Sequence, residues 1–520
     1  MTNMTLREAL QKYFGHNAFR PGQEELAQAL LQGRDALGVM PTGAGKSYCY
    51  QTPALVMPGI ALIVSPLISL MKDQVATLIA AGVPAAYLNS SLTARQFETA
   101  MRRAEEGAYR IIYVAPERLE APSFLRFAKN ARISLIAVDE AHCVSQWGQD
   151  FRPSYLKIAD FVRALPVRPP VGAFTATATA QVRADIVRLL ELKEPAQVTT
   201  GFDRPNLWLE VLRPARRFDA LAALLAARRE DSGIVYCAAR KTVEQVTEKL
   251  NGLGLSAVRY HAGLSDDERR RSQEDFQYDR ARIMVATNAF GMGIDKSNVR
   301  YVIHYNMPRS MEAYYQEAGR AGRDGDGADC VLLYSRQDIM TARYLIDHAQ
   351  PNEELTEAER IEVRQSDLAR LNRMVRYCED GTCLRGALLR YFGQPAPTCC
   401  EGCANCLGAR YSQAEKAMPV KRGAPKATFS QDSAFNDADA EALDDLMVRL
   451  KARRLAIAQR MGVPAYVIAD DKTLRDMARR RPANRAELLK VHGVGEIKAD
   501  RYGGEFLAVI EEWKKVHPGL

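Results

Sequence analysis

ALGVMPTGAGKS, residues 36–47, is a strand-length apolar run that breaks into a glycine-rich, cationic turn. That order suits a phosphate loop at the end of a buried parallel strand. Gly43 and Gly45 let backbone N–H groups approach phosphate oxygens, with Thr42 in the same turn. Lys46 carries a charge to the β/γ-phosphates, and the Ser47 hydroxyl is placed to ligate Mg²⁺. The strict pattern has Gly where Met40 stands, which is the one departure. A chance glycine-rich turn is the competing reading. The strand before it and the GKS ending argue against that, and point to ATP with Mg²⁺.

Working outward, ALIVSPL, RIIYVAP, SLIAVDE and GAFTAT repeat the motif of a short, wholly apolar run ending in polar residues. Strands buried on both faces read this way, and helix-length stretches separate them, so an α/β domain is expected. After the polar connector GFDRPN (Gly201–Asn206) the pattern restarts with GIVYCAAR, SAVRYHAG, RIMVATN and VRYVIHYN. Two tandem α/β domains follow from this, alike in architecture rather than in sequence.

SLIAVDE ends in Asp139 and Glu140. Carboxylates at the C-terminal edge of a parallel sheet sit where α/β ligands bind. Asp139 is expected to hold Mg²⁺, and Glu140 to orient and deprotonate an attacking water. Acids also favour helix starts for plain electrostatic reasons, so the pair gains weight only from the phosphate loop upstream. In YYQEAGRAGRDG, Arg320 and Arg323 are three apart. On a helix they share a face, from which they could reach across an interdomain cleft to the γ-phosphate. A solvated basic helix is the bland alternative, and the flanking glycines argue against it.

The acids run straight into CVSQWGQDFRP. Trp147 and Phe151 offer faces for base stacking, and Arg152 offers a partner for phosphate. In isolation Trp147 reads equally well as core.

The 520 residues carry a formal net charge of +8, which permits a polyanionic partner without naming one. No apolar run is bilayer-length and the N-terminus lacks a signal-peptide pattern, so a cytoplasmic protein is expected. Six of the ten cysteines fall between Cys378 and Cys406, a crowding that favours metal over disulfide here. Cys383 with Cys400, Cys403 and Cys406 supplies the four thiolates of a closed tetrahedral Zn²⁺ site. An iron–sulfur cluster is the alternative. Cys399, beside Cys400, could exchange with it.

The ordered set FRPGQ, MPTGAGKS, SPLISLMKDQ, VAPERL, DEAH, FTATAT, YHAGL, VATNAFGMGIDKSNVR and QEAGRAGRDG resembles the RecQ helicases of superfamily 2, from Leu6 to about Tyr334. The resemblance implies two RecA-like domains, 1–205 and 206–343, a helical zinc-binding subdomain, 344–407, a flexible linker, 408–435, and a module at 436–520 that resembles the all-α HRDC domain. It implies a motor that uses ATP to step 3′ to 5′ along single-stranded DNA and open duplex, in recombination, repair and replication. Gln23 would read adenine. The loop at Trp147, Phe151 and Arg152, with Thr175, Thr177, Gly293 and Asp295, would couple DNA to the ATP site. Tyr466 could stack a base, and Lys498 and Arg501 bind phosphate. The implied partners are single-stranded, branched or tailed DNA, with single-stranded-DNA-binding protein and other recombination proteins, in the nucleoid.

Two departures stand out. Gln149 occupies the place of a His usual in bacterial members, and unlike His it cannot become a cation. The span between Cys406 and the last module also leaves no room for the winged-helix domain of the common layout. An ATP-independent DNA-binding or annealing protein is the alternative function, against which the intact Lys46, Asp139, Glu140, Arg320 and Arg323 argue.

Overall fold

The computed structural model describes residues 4–517 except 42, 67, 90, 149, 291–295, 349–355, 412–436, 462 and 464. Thr42, Gln149, Gly293 and Asp295 therefore lie outside the described residues.

The first domain is built on seven strands: β1 (Ala36–Val39), β2 (Ile60–Val64), β3 (Ala85–Leu88), β4 (Ile111–Val114), β5 (Ile133–Val138), β6 (Val171–Thr175) and β7 (Ala196–Thr199). They lie in the order β3-β4-β2-β5-β6-β1-β7. The second domain has six: β8 (Leu207–Leu212), β9 (Ser232–Tyr236), β10 (Ala257–Tyr260), β11 (Ile283–Ala286), β12 (Val299–His304) and β13 (Ala328–Leu333), in the order β10-β11-β9-β12-β13-β8. Every pairing between these strands is parallel. Both sheets are therefore doubly covered by crossover helices, and the interior strands β1, β2, β4 and β11 are buried at every residue.

Each continuous apolar run singled out in the sequence is an interior strand, apart from the edge strand β10. The edge strand β7 carries no such run, because an edge faces solvent and its residues alternate half-buried with exposed, whereas the edge strand β3 is apolar throughout. The edge strand β8 lies against the cysteine loop, where the Leu209 N–H donates to the Gly402 carbonyl at 3.0 Å. The loop thereby occupies an edge that would otherwise present unpaired backbone groups.

The helix Glu357–Glu379 and the helix Leu384–Tyr391 carry the cysteine region, and Leu371, Met374, Leu384 and Leu388 join the core shared by both sheets. Two residues of the linker expected from 408, Arg410 and Tyr411, are held on the second domain. Arg410 stacks on the Trp208 ring at 4.0 Å and pairs with Asp329 at 3.0 Å, while the Tyr411 N–H donates to Glu210 at 3.0 Å. A cation over an indole beside a buried carboxylate fixes these residues to the second domain. The rest of the expected linker lies outside the described residues.

The last module has the helices Asp437–Met461, Ala465–Ile468, Asp471–Arg480, Arg485–Leu488 and Glu496–Val516. They enclose a separate core around the fully buried Trp513. No helix among the described residues is long and apolar enough to cross a membrane.

Candidate nucleotide cleft and its aromatic loop

The phosphate loop joins β1 to the helix Lys46–Val56. Gly43 and Gly45 take φ of 80° and 77°, the left-handed region in which a side chain is strained. Gln23 is buried behind the loop. Its amide donates to the carbonyls of Ala44 at 2.7 Å and Gly45 at 3.0 Å, and its oxygen accepts the Arg20 N–H at 2.8 Å. The side chain offered for adenine recognition thus shapes the loop in this structure. The Lys46 ammonium donates to the Met40 carbonyl at 3.3 Å, and Ser47 lines the cavity beside it.

Asp139 and Glu140 stand at the end of β5, as the strand pattern requires. The Tyr155 hydroxyl donates to the Asp139 carbonyl at 2.9 Å, pinning that strand end. Burial pushes the Asp139 carboxyl up to about 7, the Glu140 charge adds to this, and Lys46 opposes it. Glu140 has φ 47° and a buried Oε2 without a hydrogen bond among the described residues. Two adjacent carboxylates, that of Asp139 buried, suit a divalent cation, which would offset the repulsion that favours the neutral acid.

A run of polar contacts leads away from Glu140. His142 Nδ1 lies 3.4 Å from Glu140 Oε2 and 2.8 Å from Thr175 Oγ1. The Thr175 hydroxyl donates to the Thr177 carbonyl at 3.2 Å. The Gln316 amide then donates to the Thr177 hydroxyl at 3.0 Å, and Gln316 belongs to the second domain. The two threonines proposed as couplers are therefore brought together and joined across the cleft.

Arg320 and Arg323 were expected on one helix face. The helix ends at Ala318, and both arginines lie in the turns that follow. The connector Gly201–Asn206 holds these turns and is a clamp rather than a free polar link. Arg204 donates to the carbonyls of Ala321 at 2.9 Å and Gly322 at 2.8 Å, and Asn206 donates to Gly322 at 2.9 Å. Arg385 from the cysteine region holds the connector through Asp203 at 2.6 Å. Both arginines still reach the cleft. A Cβ on Gly43 would lie 3.5 Å from Arg323 Cγ, and Arg320, Arg323, Lys46, Asp139 and Glu140 line one cavity of about 310 Å³.

A second cavity, of about 370 Å³, adjoins the first, and Gln316 and Arg320 line both. Asp150, Arg309 and Arg370 form its far side. The aromatic loop borders it. Trp147 is 44% exposed, far from the core reading, and Phe151 is half-buried. Arg152 is engaged with Asp150 at 3.0 Å and with the Pro66 carbonyl at 3.2 Å, so it braces the loop. From behind, Arg370 donates to the carbonyls of Trp147 at 2.8 Å and Gly148 at 3.3 Å. Gly148 is needed for closeness alone, since a Cβ there would lie 2.2 Å from the His142 carbonyl oxygen. The aromatic loop and the Glu140–His142 contact are thus mechanically one piece.

The sulfurs of Cys383, Cys400, Cys403 and Cys406 all lie within 4.8 Å of one another. Zn–S bonds of about 2.3 Å place sulfurs roughly 3.8 Å apart in a tetrahedron, so the set fits Zn²⁺. The Cys400 N–H donates to the Cys406 sulfur at 3.3 Å and holds that thiol below its ordinary range, favouring the ligating thiolate. Cys399 is exposed and outside the four, and Cys378 is buried elsewhere.

Tyr466 and Lys498 line the nucleotide cavity from the C-terminal module. Arg501 donates to the Ala80 carbonyl at 3.0 Å. Sequence reading missed His142, Gln316, Arg370 and Arg204. The motif letter H of DEAH was a usable signal for the first. The others are single polar residues whose partners lie 100 or more positions away.

Family models match in order along the chain: DEAD/DEAH box helicase at residues 20–186, helicase conserved C-terminal domain at 216–325, RecQ zinc-binding at 336–407 and HRDC domain at 444–510. The chain is 38% identical to the ATP-dependent DNA helicase RecQ of Bacillus subtilis (strain 168), over 98% of each chain. It is 35% identical to the protein of the same name from Pasteurella multocida (strain Pm70), over 98% of this chain and 94% of that one. The first alignment spans 590 positions against 520 residues here, so that relative carries residues with no counterpart in this chain. Among solved structures, the DEAD-box helicase Mss116 bound to ssRNA and UDP-BeF superposes with a TM-score of 0.54 at 18% identity, over 77% of this chain and 92% of that one, a likeness of fold.

Proposed function

The chain belongs to the RecQ family of ATP-dependent DNA helicases, and on that premise we propose that it steps 3′ to 5′ along single-stranded DNA, opening duplex as the interdomain cleft closes and reopens on each ATP. The phosphate loop, with Lys46 and Ser47, holds the triphosphate. Glu140 takes the proton of the attacking water, and Arg320 and Arg323 meet the γ-phosphate from the second domain. Ser47 and Asp139 would hold Mg²⁺, which would supply charge neutralisation at the phosphates. Bases stack on Trp147 and Phe151. Four thiolates bind Zn²⁺ as a structural centre that fixes the helix carrying Arg370's loop contacts to β8.

The observation that carries this reading is the contact run from Glu140 through His142, Thr175 and Thr177 to Gln316. It ties the water-activating acid to the opposite domain and, through Gly148, to the aromatic loop. A static DNA-binding or annealing protein has no use for such a link.

The family resemblance supplies the polarity. It also marks tailed and branched DNA as substrates and single-stranded-DNA-binding protein as a partner. The missing winged helix predicts weak affinity for blunt duplex. The test is ATP hydrolysis with and without single-stranded DNA, beside unwinding of 3′-tailed and 5′-tailed duplexes, for wild type and Lys46→Ala. DNA-stimulated hydrolysis with unwinding of the 3′-tailed duplex only, both lost in the variant, is the expected result. Annealing that survives in Lys46→Ala, with no hydrolysis in the zinc-loaded wild type, would establish the alternative.

A further inference from the structure

The turn His492–Gly495 of the C-terminal module lies against the end of the helix Leu6–Phe14. The Gly493 N–H donates to the Gly15 carbonyl at 3.1 Å, and the His16 and His492 rings stand 5.1 Å apart. The approach is backbone to backbone. A Cβ on Gly495 would fall 2.7 Å from the Lys12 carbonyl oxygen and 3.0 Å from that of Gln11. Gly495 has φ −90°, which any residue adopts, so only this contact between modules asks for glycine.

The seam continues on both sides of the cleft. Ile497 packs over Gly82, where a Cβ would lie 2.5 Å from its Cδ1. Arg501 caps the C-terminal carbonyls of the helix Ile68–Ala80, a favourable place for a cation. Arg475 pairs with Asp326 of the second domain. The module thus touches both α/β domains at once.

The nucleotide cavity lies beneath this seam. His492, Lys498 and Tyr466 wall it on the module side, opposite His16, Arg20 and Lys46. The Lys498 ammonium makes no hydrogen bond to a described residue, and the cavity it faces also holds Arg320 and Arg323. Arg20, Lys46, Arg320, Arg323, Lys472 and Lys498 outnumber Asp139, Glu140, Asp324 and Asp470 around this space, and that excess of cations favours a polyanion there.

We propose that the C-terminal module completes the nucleotide site as its removable wall, with Lys498 and His492 turned to the nucleotide, so that the nucleotide leaves when the module leaves. In the docked arrangement Arg501 is spent on the helix end at Ala80, and Tyr466 and Lys498 face the cavity, so the residues suited to single-stranded DNA are turned toward the motor. DNA on the module and the module on the motor therefore exclude one another, and single-stranded DNA that captures the module speeds nucleotide exchange. This rests on the assignment of the cavity to ATP.

The experiment follows release of the non-hydrolysable β,γ-imido analogue of N-methylanthraniloyl-ATP from the full, zinc-loaded chain after an unlabelled chase of the same imido nucleotide, with hydrogen exchange at 68–80 reporting docking. Gly495→Val blocks the seam sterically, and Arg475→Glu repels Asp326 without touching the module's core. Both are expected to lose protection at 68–80 and to speed release at least about fivefold, the low end of ordinary coupling between sites. Lys498→Ala should speed release with protection kept. Oligothymidylate added to wild type should reproduce the Gly495→Val behaviour. Unchanged release in a variant that has lost protection overturns the proposal, as does a wild type with no protection at 68–80. Equal binding of the analogue by Lys46→Ala would instead refute the ATP-site assignment.

Discussion

The Gln316 amide donates to the Thr177 hydroxyl at 3.0 Å across the cleft between the two α/β domains. Gln316 also stands between the nucleotide cavity and its neighbour, four residues before Arg320. A hydrogen bond at this point exists only while the domains are close, so it reports cleft closure to the side of the site that activates water.

Gln316→Ala should leave nucleotide affinity near wild type and lower DNA-stimulated turnover. Losing one neutral hydrogen bond of about 0.5–1.5 kcal/mol corresponds to roughly 2- to 13-fold. Steady-state kinetics with saturating single-stranded DNA measures it, and a change confined to KM for ATP would contradict the coupling role.

Arg370→Ala removes the guanidinium nitrogen that donates to both the Trp147 and the Gly148 carbonyls. Basal ATP hydrolysis should persist, stimulation by single-stranded DNA should fall, and Trp147 should gain mobility, read as lower fluorescence anisotropy in a chain in which Trp208 and Trp513 are replaced. Stability should drop by about 1–3 kcal/mol, the cost of leaving buried polar partners unmet. Retained zinc content separates this from loss of the cysteine region.

Cys400→Ser should cost the bound zinc and unfold the helix Leu384–Tyr391, whereas Cys399→Ser should keep one zinc per chain, because Cys399 is exposed and outside the set of four. Atomic absorption with circular dichroism decides it. Stripping zinc with a chelator should also free the connector held by Arg385 and so weaken the placement of Arg320 and Arg323.

Acidification should release the C-terminal module. Burial, then the charges of His492, Arg20 and Lys498, hold the His16 imidazole down at about 4 from an ordinary 6.5, with Asp470 opposing. His492 is lowered too, by burial first and then by Lys472 and Arg20, against Asp470 and Asp476. A released module leaves these histidines free to protonate, so it binds more protons than the docked form. Docking is then fully favoured above about pH 6.5 and is lost as pH falls toward 4. Hydrogen exchange at 68–80 in wild type and His16→Gln tests this, and a variant with the same pH profile as wild type would assign the effect elsewhere.

Local pattern determined much of this protein. Strands buried on both faces must be apolar throughout, so β1, β2, β4, β5 and β6 were legible as runs, and with them the class of both domains. The phosphate loop was legible because its contacts to Gln23 and Met40 span at most 22 positions and its glycines are demanded by φ. The four thiolates were legible because a metal draws on short spacings.

Tertiary structure decided the rest. Edge strands such as β7 hide because solvent removes the apolar pattern. Arg370 meets the aromatic loop across 223 positions, and Arg501 meets the helix end at Ala80 across 421. A cation in sequence carries no record of its partner, since the same side chain suits a phosphate, a carbonyl at a helix end or water. Only the packing of the C-terminal module put Tyr466 and Lys498 on the wall of the cleft cavity and Arg501 on the helix end at Ala80.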